Sequence, residues 1–339
     1  MGDFGPVEFG GPDLPARRLR DLLQEHVDAS PPGSRIDWAT YYFRDLALAD
    51  ALIRASDRGV RVNLVLEPDP RLAGANDTVI ALLRDHGLDG GFHLYRPAPE
   101  NKGHLHAKIY AFTHPDIAWI GSFNPSGDEP EVPEVIAEIG DQDRGHNLLV
   151  GIRNSRVKKA LRRHVARLSG WGRIPLYLRP AFNRTVWTMG SRLYFYPRIF
   201  PYLVERSIEH MRSGDRLRGA ISHLKSGELV RKLEVAVGRG AKVELLVHDT
   251  ERRVPNSVVE KLEAGGVDII RVHHPDGLPM HAKFLLVERA RKRTAWVGSY
   301  NFNKMSRRHN AEVLLRTSDQ SVFDSLEQRF STISSMASS

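Results

Sequence analysis

Two spacings of apolar residues alternate along this chain. LPARRLRDLLQEHV at 14–27 repeats its apolar positions every three to four residues, the period of a helix with one buried face. IDWATYYF at 36–43 then follows in the two-residue period of a strand. RDLALADALIRASDRG (44–59) reads as a helix closed by Gly59, and RVNLVLE (61–67) as the next strand. NDTVIALLRDHG (76–87) opens on a capping Asn or Asp and stops at Gly87. FHLYR (92–96), HAKIYAF (106–112), IAWIG (117–121) and NLLVGI (147–152) have the strand pattern. The second half runs in the same order. It has a helix from about Pro197 to Met211, a strand, a helix, VELLVH (243–248), a helix and DIIRVH (268–273), then HAKFLLV (281–287), TAWVG (294–298) and AEVLLRT (311–317). The fold class expected is α/β, with mixed β-sheets flanked by helices on both faces.

The parallel order reflects an internal repeat. SRIDWATYYF (34–43) pairs with DRLRGAISHL (215–224), and RGVRVNLVLE (58–67) with RGAKVELLVH (239–248), both 181 positions apart. GHLHAKIYAF (103–112) pairs with LPMHAKFLLV (278–287), and IGSFN (120–124) with VGSYN (297–301). A period this long implies two similar lobes rather than a solenoid. The expected lobes are 1–175 and 190–333, divided in the Gly/Pro-interrupted stretch 169–190, with 334–339 as a disordered tail.

Composition narrows the chemistry. The chain has 339 residues, enough for two lobes, and 41% hydrophobic content, enough for a core. It has no cysteine, which excludes disulfides, thiolate metal sites and a Cys nucleophile. No secretory signal or membrane span is visible, so a cytoplasmic monomer is expected. The formal net charge of +8 favours polyanionic partners, nucleic acid or anionic lipid, although an Arg-rich proteome would give the same bias.

Each repeat carries His-Ala-Lys at the head of an apolar run, His106 with Lys108 and His281 with Lys283. Residues at i and i+2 of a strand share a face, so each His stands beside its Lys. A Gly-Ser-aromatic-Asn tetrad begins 15 residues after His106 and 17 after His281. Its glycine permits a sharp path near a ligand, and Ser122, Asn124, Ser299 and Asn301 are candidate phosphate-binding groups. One HxK is nearly worthless as a signal, and His104, His273 and His274 show how common stray histidines are here. The same tripeptide at the same point of two repeats, each followed by GS-[FY]-N, is a different matter. A phosphodiester is an anion that repels nucleophiles, and Lys108 and Lys283 can supply the neutralising charge. One neutral imidazole can attack phosphorus while the other, protonated, donates to the leaving oxygen.

These segments resemble the paired HxK...GSxN motifs of the phospholipase D superfamily, over roughly 30–320. The resemblance implies two lobes in pseudo-twofold relation, with both motifs in one site. It also implies a phosphohistidine intermediate, no metal and no cofactor: a phosphodiesterase of phospholipase or nuclease type. By the same resemblance His106 is the nucleophile and His281 the acid and base; the residues alone leave either assignment open. Glu312, in HNAEVLL, takes the place of the family's orienting carboxylate. The aligned first-repeat segment HNLLVGI puts Leu149 there, so His106 is expected to lean on a backbone carbonyl or on an acid of the insertion 127–144, such as Glu134 or Glu138. The family's Lys-x4-Asp continues as Glu288 in one copy and as Thr113, with Asp116 beyond, in the other. Thr113 and Leu149 also support a rival reading, a non-catalytic protein that clamps phosphodiesters.

The substrate, phospholipid or nucleic acid, stays open. The segment 153–173 has seven Lys or Arg between Arg153 and Arg167 and no acid. Its apolar side is Val157, Leu161, His164, Val165 and Leu168, and the other face could meet DNA, an anionic membrane or only solvent. LYFYPRIFPYLV (193–204) could form an apolar lip or a stacking surface, or pack beneath a helix.

Overall fold

The computed structural model describes residues 2–96, 103–126, 133–170, 184–198 and 203–338. The first lobe runs β1 (Phe4–Phe9), α1 (Arg18–Asp28), β2 (Arg35–Thr40), α2 (Leu46–Asp57), β3 (Arg61–Leu66) and α3 (Asp77–His86). It continues with β4 (Phe92–Leu94), β5 (Ile109–Phe112), β6 (Ala118–Gly121), α4 (Pro133–Ile139), β7 (Leu148–Ile152) and α5 (Ser155–Leu168). The second runs β8 (Thr185–Thr188), β9 (Ser191–Tyr196), α6 (Leu203–Ile208), β10 (Arg216–Ile221), α7 (Glu228–Gly238), β11 (Lys242–His248) and α8 (Asn256–Ala264). It ends with β12 (Asp268–Val272), β13 (Lys283–Arg289), β14 (Lys292–Gly298), α9 (Lys304–Arg308), β15 (Glu312–Thr317) and α10 (Gln320–Ser338).

The repeat becomes two sheets of one topology. Strands β7-β6-β5-β2-β3-β4 of the first lie in the same order as β15-β14-β13-β10-β11-β12 of the second. In both, the three strands from the βαβ units are parallel and the following meander is antiparallel. The register repeats as well: Arg35 faces Arg61, and Arg216 faces Lys242. Each sheet then gains its own border, β1 against β7 in the first and the hairpin β8–β9 against β15 in the second.

These borders and the C-terminus differ from expectation. Gly5 and Pro6 hide β1 in the sequence, yet an edge strand tolerates proline, and Phe9 pairs with Leu148. Strand β8 falls inside the stretch read as an inter-lobe boundary, of which 171–183 lie outside the described residues. The tail expected to be disordered continues α10 to Ser338. Its serines mask an amphipathic pattern, with Val322, Phe323, Leu326, Phe330 and Ile333 buried on one face.

One central core joins the lobes. Inner-face residues of both sheets, such as Ile109, Val150, Phe284 and Val313, pack with the apolar sides of α5 and α10. All five residues named for the apolar side of α5 are buried, and Lys158 joins them. Each fully buried Leu or Phe contributes ~1.5–3 kcal/mol, so this layer resists separation of the lobes. The outer faces are covered by α1–α3 on the first sheet and by α6–α8 on the second. A polar clasp crosses the join: Arg329 of α10 donates to both carboxylate oxygens of Asp13, at 2.6 and 2.8 Å, and to the Gly10 carbonyl. Of the aromatic stretch, Leu193–Tyr196 is buried, with Tyr194 stacked near Trp296 and Tyr196 near Tyr300. These residues form core, not a lip; 199–202 lie outside the described residues. No described helix is long and apolar enough to cross a membrane.

Candidate active site

The same edge of both sheets supplies the site. In the first lobe it gathers the ends of β2, β3 and β6 and the starts of β5 and β7, and the second lobe matches it. The His-Ala-Lys segments are lead-ins to β5 and β13, and each pairs with the opposite lobe. The His106 amide donates to the Ala311 carbonyl at 2.9 Å, and the His281 amide to the His146 carbonyl at 3.0 Å. Isolated bridges Leu105–Ala311 and His146–Met280 mark these crossings.

The crossing decides which acceptor each imidazole meets. His106 Nδ1 lies 2.9 Å from Glu312 Oε2, a contact 206 residues apart in sequence. His281 Nδ1 lies 2.8 Å from Asn147 Oδ1. A carboxylate and an amide oxygen can only accept, so both rings carry hydrogen on Nδ1, leaving Nε2 as each ring's other nitrogen. Two expectations are corrected here. Glu312 serves the histidine of the other repeat, and His106 leans on it rather than on Glu134, Glu138 or a carbonyl; Glu134 is exposed and Glu138 pairs with Arg71. Residues 127–132 of that insertion lie outside the described residues. The residue equivalent to Glu312 is Asn147, not Leu149. The Ser122 amide bonds to the Leu148 carbonyl as the Ser299 amide bonds to that of Val313, which shifts the alignment by two. Leu149 is core.

The tetrad serines also have a different task from the one expected. Both are fully buried. Ser122 Oγ donates to Asn147 Oδ1 at 2.9 Å, and Ser299 Oγ to Glu312 Oε2 at 2.5 Å. They hold the acceptors rather than a phosphate. Ser306 adds a third bond to Glu312, at 2.6 Å. The tetrad glycines make this possible. A Cβ on Gly121 would stand 2.1 Å from the Leu148 carbonyl, and one on Gly298 2.3 Å from that of Val313, so only glycine lets the strands close. Asn124 and Asn301 do line the pocket, and the Asn301 side-chain oxygen is buried without a partner.

The pocket is about 670 Å³ and holds His106 and His281 together. Lys108 and Lys283 are fully buried, each donating at 2.7 Å to the carbonyl of its own histidine. Tyr41 spreads beside His106 at 5.1 Å and beside Lys108 at 5.2 Å. Burial and the two lysines push His106 down to about 4, against the pull of Glu312. Burial, Lys283, Arg253 and Lys108 drive His281 well below the usual imidazole range. Lys108 is lowered to about 7 by burial, opposed by Glu312 and Glu67, and burial and Lys108 lower Lys283 as well. Burial alone would raise Glu312, but His106, Lys108 and Ser299 outweigh it and hold it below the ordinary carboxylate value. The free site is thus a pair of neutral imidazoles over lysines that hold their protons weakly. Among the described residues no three His, Asp or Glu side chains converge as metal ligands.

The family's third motif position lies away from this pocket. Thr113 caps the Arg35 amide, Glu288 pairs with Arg218, and Asp116 pairs with Lys158. Asn147, Tyr41, His223 and Arg253 stand in the pocket region without a motif of their own to announce them. The only available signal was the repeat itself, in which Tyr41 and Tyr42 align with Ser222 and His223.

A family model described as "Cardiolipin synthase, PLD-like domain" matches residues 28–131 and 208–334. No curated protein matches the sequence. Phosphatidylserine synthase from Haemophilus influenzae Rd KW20 superposes over 98% of this chain and 88% of its own, with TM-score 0.71 and 13% identity. Polyphosphate kinase from Porphyromonas gingivalis superposes over 96% of this chain with TM-score 0.64 and 15% identity, and this chain spans 50% of that one. At such identities the likeness is one of fold.

Proposed function

This chain belongs to the PLD-like domain family, and on that premise we propose that it breaks or exchanges a phosphodiester through a covalent phosphohistidine on His106, without metal. The observation that carries the reading is the crossed pair of imidazoles, each held through Nδ1 by the opposite lobe, in one pocket over two buried lysines.

His106 Nε2 attacks phosphorus as its P–O bond to the leaving group breaks. Attack turns the ring into a cation, and Glu312 stabilises that charge where Asn147 could not. This difference favours His106 as nucleophile. His281, protonated, gives its Nε2 proton to the departing oxygen. The entering phosphate favours that protonation, with the proton taken from solvent, because its negative charge offsets the lysines and Arg253 that keep the free imidazole neutral. In the second step neutral His281 takes a proton from water or an alcohol. That oxygen attacks phosphorus, the P–N bond breaks, and His106 is restored. Lys108 and Lys283 neutralise the phosphoryl oxygens, with Asn124 and Asn301 as neutral donors beside them.

The non-catalytic reading drew on Leu149 and Thr113; Asn147, an amide, holds the place given to Leu149, and Thr113 lies away from the pocket. The segment 153–170 stays a proposed polyanion contact: Arg156, Lys159, Arg163 and Arg167 line one small cleft with Arg184.

The test is turnover in excess EDTA on single-stranded DNA, duplex DNA, RNA, anionic phospholipid vesicles and bis(p-nitrophenyl) phosphate, with His106→Ala and His281→Ala as controls. Cleavage or exchange lost in both variants is expected. Turnover that needs added metal, or that survives in His106→Ala, overturns the reading.

A further inference from the structure

The pocket is more cationic than one phosphodiester requires. Its second-lobe wall contains His223, Lys225, Arg252 and Arg253, from the loops after β10 and β11. Arg253 is the unusual member. It is only 5% exposed, and its guanidinium meets neutral acceptors alone, the Ile139 carbonyl at 3.1 Å and Ser222 Oγ at 3.5 Å. Its Nε is buried without a partner. Among the described residues no carboxylate pairs with it. The nearby Asp249 is engaged by His248 at 2.8 Å and by His273 at 3.0 Å, and Glu138 is taken by Arg71 and Arg252. His223 Nδ1 is likewise buried with no partner. A buried guanidinium without a counter-charge is costly, and such a group persists where a ligand completes it.

The single negative charge of a scissile phosphodiester is already served by Lys108 and Lys283. We propose that Arg253, with His223 and Lys225, forms a second phosphate subsite, so that the substrate carries another phosphoryl group beside the one under attack. Successive phosphates of a nucleic-acid strand and the pyrophosphate of a nucleoside diphosphate ester share this chemistry. The subsite has no twin in the first lobe. There Tyr42 stands in place of His223 and, at the same 181-residue offset, Leu72 in place of Arg253, so the second phosphate lies on the second-lobe side of the histidines. A guanidinium suits a phosphate by forming two parallel hydrogen bonds. Burial and the neighbouring Arg71 lower Arg253 to about 10, and a phosphate bound beside it would oppose that shift.

This inference rests on the proposed phosphodiester chemistry, and its test separates the two. Pyrophosphate and inorganic phosphate are compared as ligands by calorimetry on the parent, Arg253→Met and Arg253→Lys. TpT against pTpT, and bis(p-nitrophenyl) phosphate against an alkyl ester of adenosine 5′-diphosphate, are compared as substrates. The parent should favour pyrophosphate, and at least one two-phosphate ester, over its single-phosphate counterpart. Arg253→Met should shrink that preference roughly 30-fold, the usual scale for truncating one partner of a buried charge pair, and Arg253→Lys should restore part of it. A preference for pTpT alone identifies the strand, and one for the diphosphate ester alone identifies the anhydride. Parent indifference to pyrophosphate, or an equal loss on single- and double-phosphate probes in Arg253→Met, overturns the subsite. If no ester is turned over yet pyrophosphate is preferred through Arg253, the subsite stands and the chemistry falls.

Discussion

Strands β2 and β10 end at equivalent points, one followed by Tyr41–Tyr42 and the other by Ser222–His223; Glu67 follows β3 where His248 closes β11. The histidine of the first lobe has a carboxylate beside it, that of the second an amide. The backbone around all of these is repeated in order and register, so the difference lies wholly in side chains. A duplicated scaffold supplies two imidazoles at equivalent positions, and in the proposed chemistry the neighbouring charge suits one to bearing a positive charge and the other to passing a proton. Symmetry of fold here permits asymmetry of role.

The largest test of that division removes each histidine in turn. His106→Ala and His281→Ala should each lose ~10⁴-fold or more in kcat, as removal of a nucleophile or its proton partner does in other covalent enzymes. Rapid quench into alkali followed by mass spectrometry should find phosphate on His106; finding it on His281 would reverse the assignment. Glu312→Gln makes the two acceptors alike and should cost ~10²–10⁴-fold in kcat, with KM changing far less. An equal loss in KM would mean that Glu312 shapes binding instead.

The lysines set the alkaline side. Lys108, lowered to about 7, loses its charge as pH rises through that value, so kcat/KM should fall above it, up to tenfold per pH unit. Lys108→Arg should move that limb upward in whatever activity remains, and a limb that stays fixed assigns it elsewhere. Asn147→Asp gives the second lobe's His281 the carboxylate partner that His106 already has. An opposite charge favours the protonated imidazole, so the pKa of His281 rises and the pH profile shifts upward, with a change of only a few-fold at its maximum. Smallest in its effect on turnover is Arg329→Met, which unclasps α10 from Asp13. Loss of charged hydrogen bonds should cost ~1.5–3 kcal/mol in denaturant unfolding. The Asp13 carboxyl is held below its usual value, where burial alone would raise it, by Arg329. That part of the stability is therefore present above the unfolded pKa and is lost as pH falls through the folded one; in Arg329→Met this acid dependence should disappear.

Much of this was legible beforehand, and the misses share a cause. The repeat disclosed the lobes and the strand order because both copies obey the same periodicities. The histidines and lysines stood out because they recur. What sequence could not disclose is pairing between lobes. Reading each copy as self-contained assigned Glu312 to its own repeat and left His106 searching an insertion for an acid. Matching HNLLVGI to HNAEVLL on their shared His-Asn missed a two-residue slip that only the Ser122 and Ser299 amides reveal. The tetrad serines looked like phosphate ligands because nothing local shows that their hydroxyls are spent on Asn147 and Glu312. Strand β1 and helix α10 were hidden by proline and serine, whose local preferences yielded to packing.

The crossed pairing would also time the birth of the proposed activity. Translation delivers His106 long before Glu312, which follows 206 residues later. A ribosome that has released the whole first lobe has exposed an imidazole with no carboxylate to steady it, and a His281 not yet made. On the proposed chemistry, a nascent chain should gain turnover only after β15 has emerged and carried Glu312 to His106. Order of synthesis would then do for that chemistry what an inhibitor does elsewhere, by keeping the proposed nucleophile apart from its carboxylate.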